Sequence, residues 1–298
     1  MRGMQELCRG MILLSILLVC SLGTEAAASK ALSVFVSILP QKYLVERIAG
    51  DSVRVSVMVR PGADPVTYEP SPRQMAELAE AQAYFRIGVP FEEAWLGRIR
   101  QIHPHLTVID TREGIKLRPI TGHVHDSEAS DRGSVEMIMD PHTWLSPVLA
   151  KRQAETIYKT LTVLDPTGKE DYECNYQLLI RDLDSTDQEI RSILDSVRGR
   201  KFMVFHPAWG YFADEYDLEQ VPIEVEGKEP SAKELAQTID QARRDGIKVI
   251  FVQSQFNTKP AETIARAVGG RIVQLDPLAE DYLANLVTMA KAIAAGAR

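Results

Sequence analysis

The stretch DPTGKEDYECNYQLLIRDLDSTDQEIRSILDSV, residues 165–197, decides the fold. Within it Tyr172, Tyr176, Leu179, Leu183, Ile190, Leu194 and Val197 recur at three-, four- or seven-residue steps. Asp, Glu and Arg fill many of the positions between them, and that period predicts one amphipathic helix. At 1.5 Å per residue, about 30 residues reach about 45 Å, comparable with a whole domain. The segment therefore reads as a spine between two lobes rather than as part of one. Cys174 lies on it, away from any strand end, and is expected to be a buried, inert thiol.

On both sides of this helix, strand and helix patterns alternate. Before it, residues 34–38 form an apolar run, 41–49 a helix closed by Gly50, and 53–59 an alternating strand. Further strands are predicted at 84–87 and 106–109. Ser71-Pro72-Arg73-Gln74 is a helix start with the residues of a capping box, and Ser146-Pro147 opens a helix with the stripe Ala150, Ala154, Ile157 and Leu161. After the spine, strands are predicted at 201–205, 221–225, 247–252 and 271–275. One of the intervening helices starts with Ser231 and Glu234 in capping-box spacing and stops at Gly246. Two alternating halves predict an α/β fold of two lobes, each a mainly parallel sheet flanked by helices, joined by a long spine helix. The expected boundaries are 1–28, a signal peptide; 29–164, the N-terminal lobe; 165–198, the linking helix; and 199–298, the C-terminal lobe. A cleft between lobes is the natural ligand site.

Composition narrows the function. The 298 residues are 45% hydrophobic and 25% charged, with a net charge of -7. An acidic balance argues against a phosphate-backbone partner, so no nucleic acid is expected. Arg2 and Arg9 flank a short polar start, the apolar run 11–23 is too short to span a bilayer comfortably, and Ala26-Ala27-Ala28 offers small residues for a signal peptidase. The mature chain is expected to begin near Ser29, in the periplasm or cell envelope, with an uncleaved membrane anchor as the alternative. Cys20 raises a lipoprotein alternative, against which Val19 is a poor preceding residue. Cys8 and Cys20 fall in the signal, so Cys174 alone remains and no disulfide framework is available. No second apolar run is long enough to cross a membrane, and a soluble monomer is expected.

The enzyme motifs are absent: there is no GxGxxG after a strand, no GxxxxGK[ST], no HExxH and no GxSxG. The histidines carry more. His142 lies in Asp140-Pro141-His142-Thr143-Trp144, just before a capped helix. His206 follows the strand at 201–205, and Asp276 follows the strand at 271–275. In open α/β sheets, ligands bind beyond the carboxyl ends of strands. Two imidazoles and a carboxylate make a competent shell for zinc, with manganese and iron as alternatives. Taken singly, each has a plainer reading: a hydrogen-bonded histidine, or an aspartate capping a helix. Trp144 and Trp209 read as core packing. Residues 121–133 are polar, without apolar period, and are expected to be a mobile surface loop carrying His123 and His125.

These segments resemble the metal-ion class of periplasmic solute-binding proteins, the zinc and manganese receptors of ABC transporters. The resemblance is carried by Pro61-Gly62-Ala63-Asp64-Pro65-Val66-Thr67-Tyr68-Glu69-Pro70-Ser71-Pro72, by Ile87-Gly88-Val89-Pro90-Phe91-Glu92 and by the segment around His142. Phe205-His206-Pro207-Ala208-Trp209-Gly210-Tyr211, Gln255-Phe256, and Leu275-Asp276-Pro277-Leu278 with Asp281-Tyr282 complete it. The resemblance implies two α/β lobes on a rigid helix, one metal ion in the cleft and a membrane permease as partner. It makes His142 and His206 the second and third ligands and Asp276 the carboxylate. Histidine rather than glutamate at the third position resembles the zinc members.

The family's first histidine ligand falls on Val66, which has no donor atom. Three accounts stay open: water completes the shell, His123 or His125 swings in, or tight metal binding is lost. Two other functions also stay open. One is an exported zinc-dependent hydrolase with Glu69 or Glu226 as base. The other is a degenerate receptor acting as an adhesin or partner-binding protein.

Overall fold

The computed structural model describes residues 32–120, 138–224 and 227–297. The expected signal segment with Cys20, the polar loop with His123 and His125, and Val225 and Glu226 lie outside the described residues. The first half runs β1 (Leu32–Val36), α1 (Leu39–Ala49), β2 (Val53–Val57), α2 (Pro72–Leu78), β3 (Ala83–Arg86), α3 (Pro90–Ile102) and β4 (Thr107–Asp110). Two helices follow, α4 (Pro147–Leu164) and α5 (Lys169–Leu194). The second half runs β5 (Lys201–Val204), α6 (Gly210–Glu215), β6 (Glu219–Pro222), α7 (Ala232–Arg244), β7 (Val249–Val252), α8 (Lys259–Ala267), β8 (Arg271–Gln274) and α9 (Tyr282–Gly296).

The strands make two four-stranded parallel sheets with the same order, β2-β1-β3-β4 and β6-β5-β7-β8. Strands of such sheets are covered on both faces, which is why β7 is the unbroken apolar run Val249-Ile250-Phe251-Val252, buried throughout. Both capping boxes form: Ser71 with Gln74 opens α2, and Ser231 with Glu234 opens α7. Ser146 caps α4 by accepting from the Leu149 N–H.

The spine helix is α5, 26 residues with a 3-10 turn at each end, Pro166–Gly168 and Asp195–Val197. It buries Tyr172, Leu179, Leu183 and Ile190, and packs on α1, α4 and α9. One large core draws on Phe35 of the first sheet, Leu183 of the spine and Phe251 of the second sheet, while a smaller cluster around Met203, Ile250 and Ile264 fills another layer. Cys174 is exposed, contrary to the expectation of a buried thiol. Two residues on from Tyr172 is about 200° around the helix, so burying Tyr172 turns Cys174 to water.

The shared strand order positions the site. In each sheet the chain steps outward on one side of its first strand and then returns on the other. The turning points therefore lie between β1 and β3 and between β5 and β7, where crevices open beyond the strand ends.

Candidate metal centre

His206 leaves β5 at the second turning point. Its backbone is clamped by the buried Gln253 amide, whose Oε1 accepts the His206 N–H at 3.3 Å and whose Nε2 donates to the His206 carbonyl at 3.0 Å. The ring stacks on Phe256 with centroids 4.9 Å apart and planes 17° apart. Glu224 fixes the remaining degree of freedom: its Oε2 lies 2.8 Å from His206 Nδ1. Sheet register explains the pairing. Val204 is registered with Pro222, so the residues two further along each strand, His206 and Glu224, emerge side by side.

His142 arrives from the segment before α4. Asp140 Oδ1 accepts the His142 backbone N–H at 3.0 Å and faces its Nδ1 at 2.7 Å. Asp140 is itself fixed, donating its N–H to the Arg118 carbonyl at 2.8 Å and accepting the Tyr211 hydroxyl at its own carbonyl at 3.0 Å. Two residues on, Trp144 ties this segment to the second half. Its Nε1–H donates to the Pro277 carbonyl at 2.8 Å, and the Tyr282 hydroxyl donates to the Trp144 carbonyl. Trp144 and Trp209 are both buried, as expected of core residues.

These supports bring the two imidazoles together with Nε2 facing Nε2 at 3.3 Å. A carboxylate on Nδ1 holds the proton there and leaves a bare lone pair on Nε2 of the neutral ring. Two facing lone pairs repel unless a positive centre sits beside both. Around a tetrahedral ion with nitrogens at about 2.0–2.1 Å, adjacent donors lie about 3.3–3.4 Å apart. The observed spacing matches that edge.

Burial holds the His142 imidazole below its ordinary value of 6.5, outweighing the upward pull of Asp140. The unfolded chain takes up this proton near 6.5 and the folded chain only at lower pH. The stability tied to His142 is therefore full above 6.5 and drains away as pH falls below it. The metal-free protein should melt at progressively lower temperature from pH 6.5 to 5.5, and His142→Gln should flatten that slope. Parallel slopes for the two proteins would contradict the burial argument.

The imidazoles open into a cavity of about 540 Å³. Its far wall is the loop after β3, held by the fully buried Glu92, which accepts from the Ile87 and Gly88 N–H groups at 2.8 and 2.7 Å and from Arg86 Nε at 3.0 Å. Val66 also lines the cavity, 40% exposed and without a donor, its N–H given to Asp64 Oδ1 at 2.8 Å.

Asp276 stands apart from the pair. Its Oδ1 accepts the Leu278 N–H at 2.9 Å and faces Gln255 Nε2 at 3.4 Å, and it lines a smaller neighbouring cavity of about 240 Å³. It caps no helix; the bond to Leu278 is an Asx-type turn. Among the described residues no three His, Cys, Asp or Glu side chains stand grouped as a ready ligand cluster. Sequence reasoning missed Glu224 altogether, and quoted Asp140 without giving it a role. The one available signal for Glu224 was a lone carboxylate inside the otherwise apolar run 221–225, the strand next in sequence after the one that ends at His206.

Comparison with known proteins gives the family. The family profile "ZnuA: Zinc-uptake complex component A periplasmic" matches residues 34–296. The high-affinity zinc uptake system protein ZnuA of Bacillus subtilis (strain 168) is 30% identical over 264 residues, 86% of this chain and 81% of that protein. A crystal structure of ZnuA superposes with a TM-score of 0.83 at 44% identity, covering 90% of this chain and all of that one. The laminin-binding protein Lmb of Streptococcus agalactiae is described as bifunctional, with adhesin and metal transporting activity. It superposes with a TM-score of 0.78 at 25% identity, covering 90% of this chain and 100% of its own. With the profile spanning both sheets and the helix between them, the chain belongs to the ZnuA family of periplasmic zinc-uptake components.

Proposed function

We propose that the protein is an extracytoplasmic receptor that captures zinc between its two sheets and delivers it to an ABC-type importer. The observation that carries this reading is the pair of imidazole nitrogens at 3.3 Å, each backed by a carboxylate on the far side of its ring. Membership of an uptake-receptor family makes the chain a binding component and not an enzyme. Nitrogen donors favour zinc over manganese. In this reading His142 and His206 hold the ion first, and Asp276 joins by turning its carboxylate away from Leu278. Water, or His123 or His125, fills the position that faces Val66. The first 28 residues act as the cleaved export signal, and the two halves close on the ion around α5.

Elemental analysis after gentle purification, followed by chelator stripping and calorimetric titration, tests the proposal. One equivalent of zinc per chain is expected, with manganese weaker; no stoichiometric uptake of any transition metal would remove it. The carboxylates behind the rings make a finer test. Glu224→Gln keeps an acceptor for His206 Nδ1–H but removes its charge, and should weaken zinc binding about tenfold without altering the melting curve of the metal-free chain.

A further inference from the structure

We propose that the metal enters this cleft as a chelate, carrying one small amino-carboxylate ligand whose donors complete the shell beside Val66 and whose carboxylate lies against Arg112. The inference rests on the receptor reading above and extends it to the chemical form of the cargo.

Size and lining point the same way. A water molecule takes about 30 Å³, so a bare ion with its remaining waters fills only a small part of such a space. The observed cavity of about 540 Å³ falls in the range of small-molecule pockets. Ile120, Ile138, Met139, Trp144 and Phe256 give it mainly apolar walls. That is the pattern of a site for an organic ligand with a few converging polar groups, and not of a wet shell for a hydrated ion.

Donor count gives a second argument. Two nitrogens are in place, Asp276 is engaged by Leu278, and Val66 offers nothing. A bidentate ligand supplies both missing donors of a tetrahedral shell at once, taking the two places that Asp276 and water or a loop histidine hold on a bare ion. Among the described residues the acids lining the cavity are already committed: Asp64 to the Val66 N–H and Thr67, Glu93 to Arg86, Glu224 to His206.

Arg112 gives the third. It is the one Lys or Arg among the described residues lining the cavity. Nε and Nη2 are fixed on Asp110 at 3.0 and 2.8 Å, while Nη1 lies across Gly88, 1.7 Å from where a Cβ would stand. Gly88 has φ +83, so both its backbone and the guanidinium require glycine there. The result is a rigidly held N–H edge at the cavity wall, its charge shared with Asp110 and its Nη1 left to meet a carboxylate.

L-histidine is the probe, because its amine and imidazole chelate zinc and leave the carboxylate free for Arg112. The metal-free full-length chain is titrated with zinc chloride alone and with zinc and L-histidine at one to one, and each product is weighed by native mass spectrometry. The expected result is a protein–zinc–histidine complex of one each, bound about tenfold more tightly than zinc alone, the worth of a hydrogen bond to a charged group. Arg112→Gln, shown by its melting curve to fold, should lose that gain, and Val66→His should bind zinc without retaining histidine. Zinc bound alone, with histidine only competing for it, overturns the chelate and leaves the receptor standing. Unchanged enhancement in Arg112→Gln likewise overturns the assignment. Failure to bind zinc under either condition removes the receptor reading with it.

Discussion

His206→Ala is expected to lose zinc affinity by about a hundredfold or more, and His142→Ala by a similar factor. Structural zinc sites of four ligands are worth roughly 10–16 kcal/mol, or about 3 kcal/mol for each ligand, and 1.4 kcal/mol is tenfold. The loss exceeds that expected of Glu224→Gln because a donor disappears rather than being retuned. His206 also holds a neighbour in place: without its ring, the buried Glu224 carboxylate keeps no partner at Nδ1 and Phe256 loses its stack. A small fall in melting temperature is therefore expected alongside the binding loss. The two effects separate by rescue. High zinc should restore occupancy in the variant, whereas a misfolded chain would not recover. Calorimetric titration of the purified variants reads the result. Wild-type affinity in either variant would place the ion away from the facing nitrogens.

The architecture was readable in the sequence because its signals are redundant. Continuous apolar runs mark strands covered on both faces, and the serines at 71, 146 and 231 mark helix starts whose caps all form. The site was only partly readable, for a reason that lies in sheet order. Sequence pattern shows that His206 and Asp276 each follow a strand, but not how far apart those strands lie. In the structure β7 lies between β5 and β8, so the two exits are separated by two strand spacings, about 9–10 Å. Glu224 follows β6, directly beside β5, and it is Glu224 that reaches His206. Strand order thus chooses the near carboxylate and leaves Asp276 to a local turn. For Asp276 to bind metal it must leave Leu278 while its end of the sheet draws in. Cys174 failed for a simpler reason: residue type suggested burial, but the helical phase set by Tyr172 and Leu179 had already turned that position outward.

Val66→His should tighten zinc binding about thirtyfold. The position already lines the cavity and is 40% exposed, so an imidazole fits without displacing core atoms. Its loop is preformed, with the Val66 N–H on Asp64 and the Phe91 N–H on the Pro65 carbonyl at 3.2 Å, so little backbone ordering remains to oppose the gain. A third nitrogen is worth about 3 kcal/mol, from which ordering the new side chain takes back about 1 kcal/mol. The net is about 2 kcal/mol, or roughly thirtyfold. The gain should depend on the existing pair: in a His206→Ala background it should shrink, because one ligand then only replaces another. A double-mutant cycle by calorimetric titration measures that dependence. Equal gains in both backgrounds would mean that the new imidazole binds zinc somewhere other than beside His142 and His206. No gain in the wild-type background would mean that residue 66 does not face the ion.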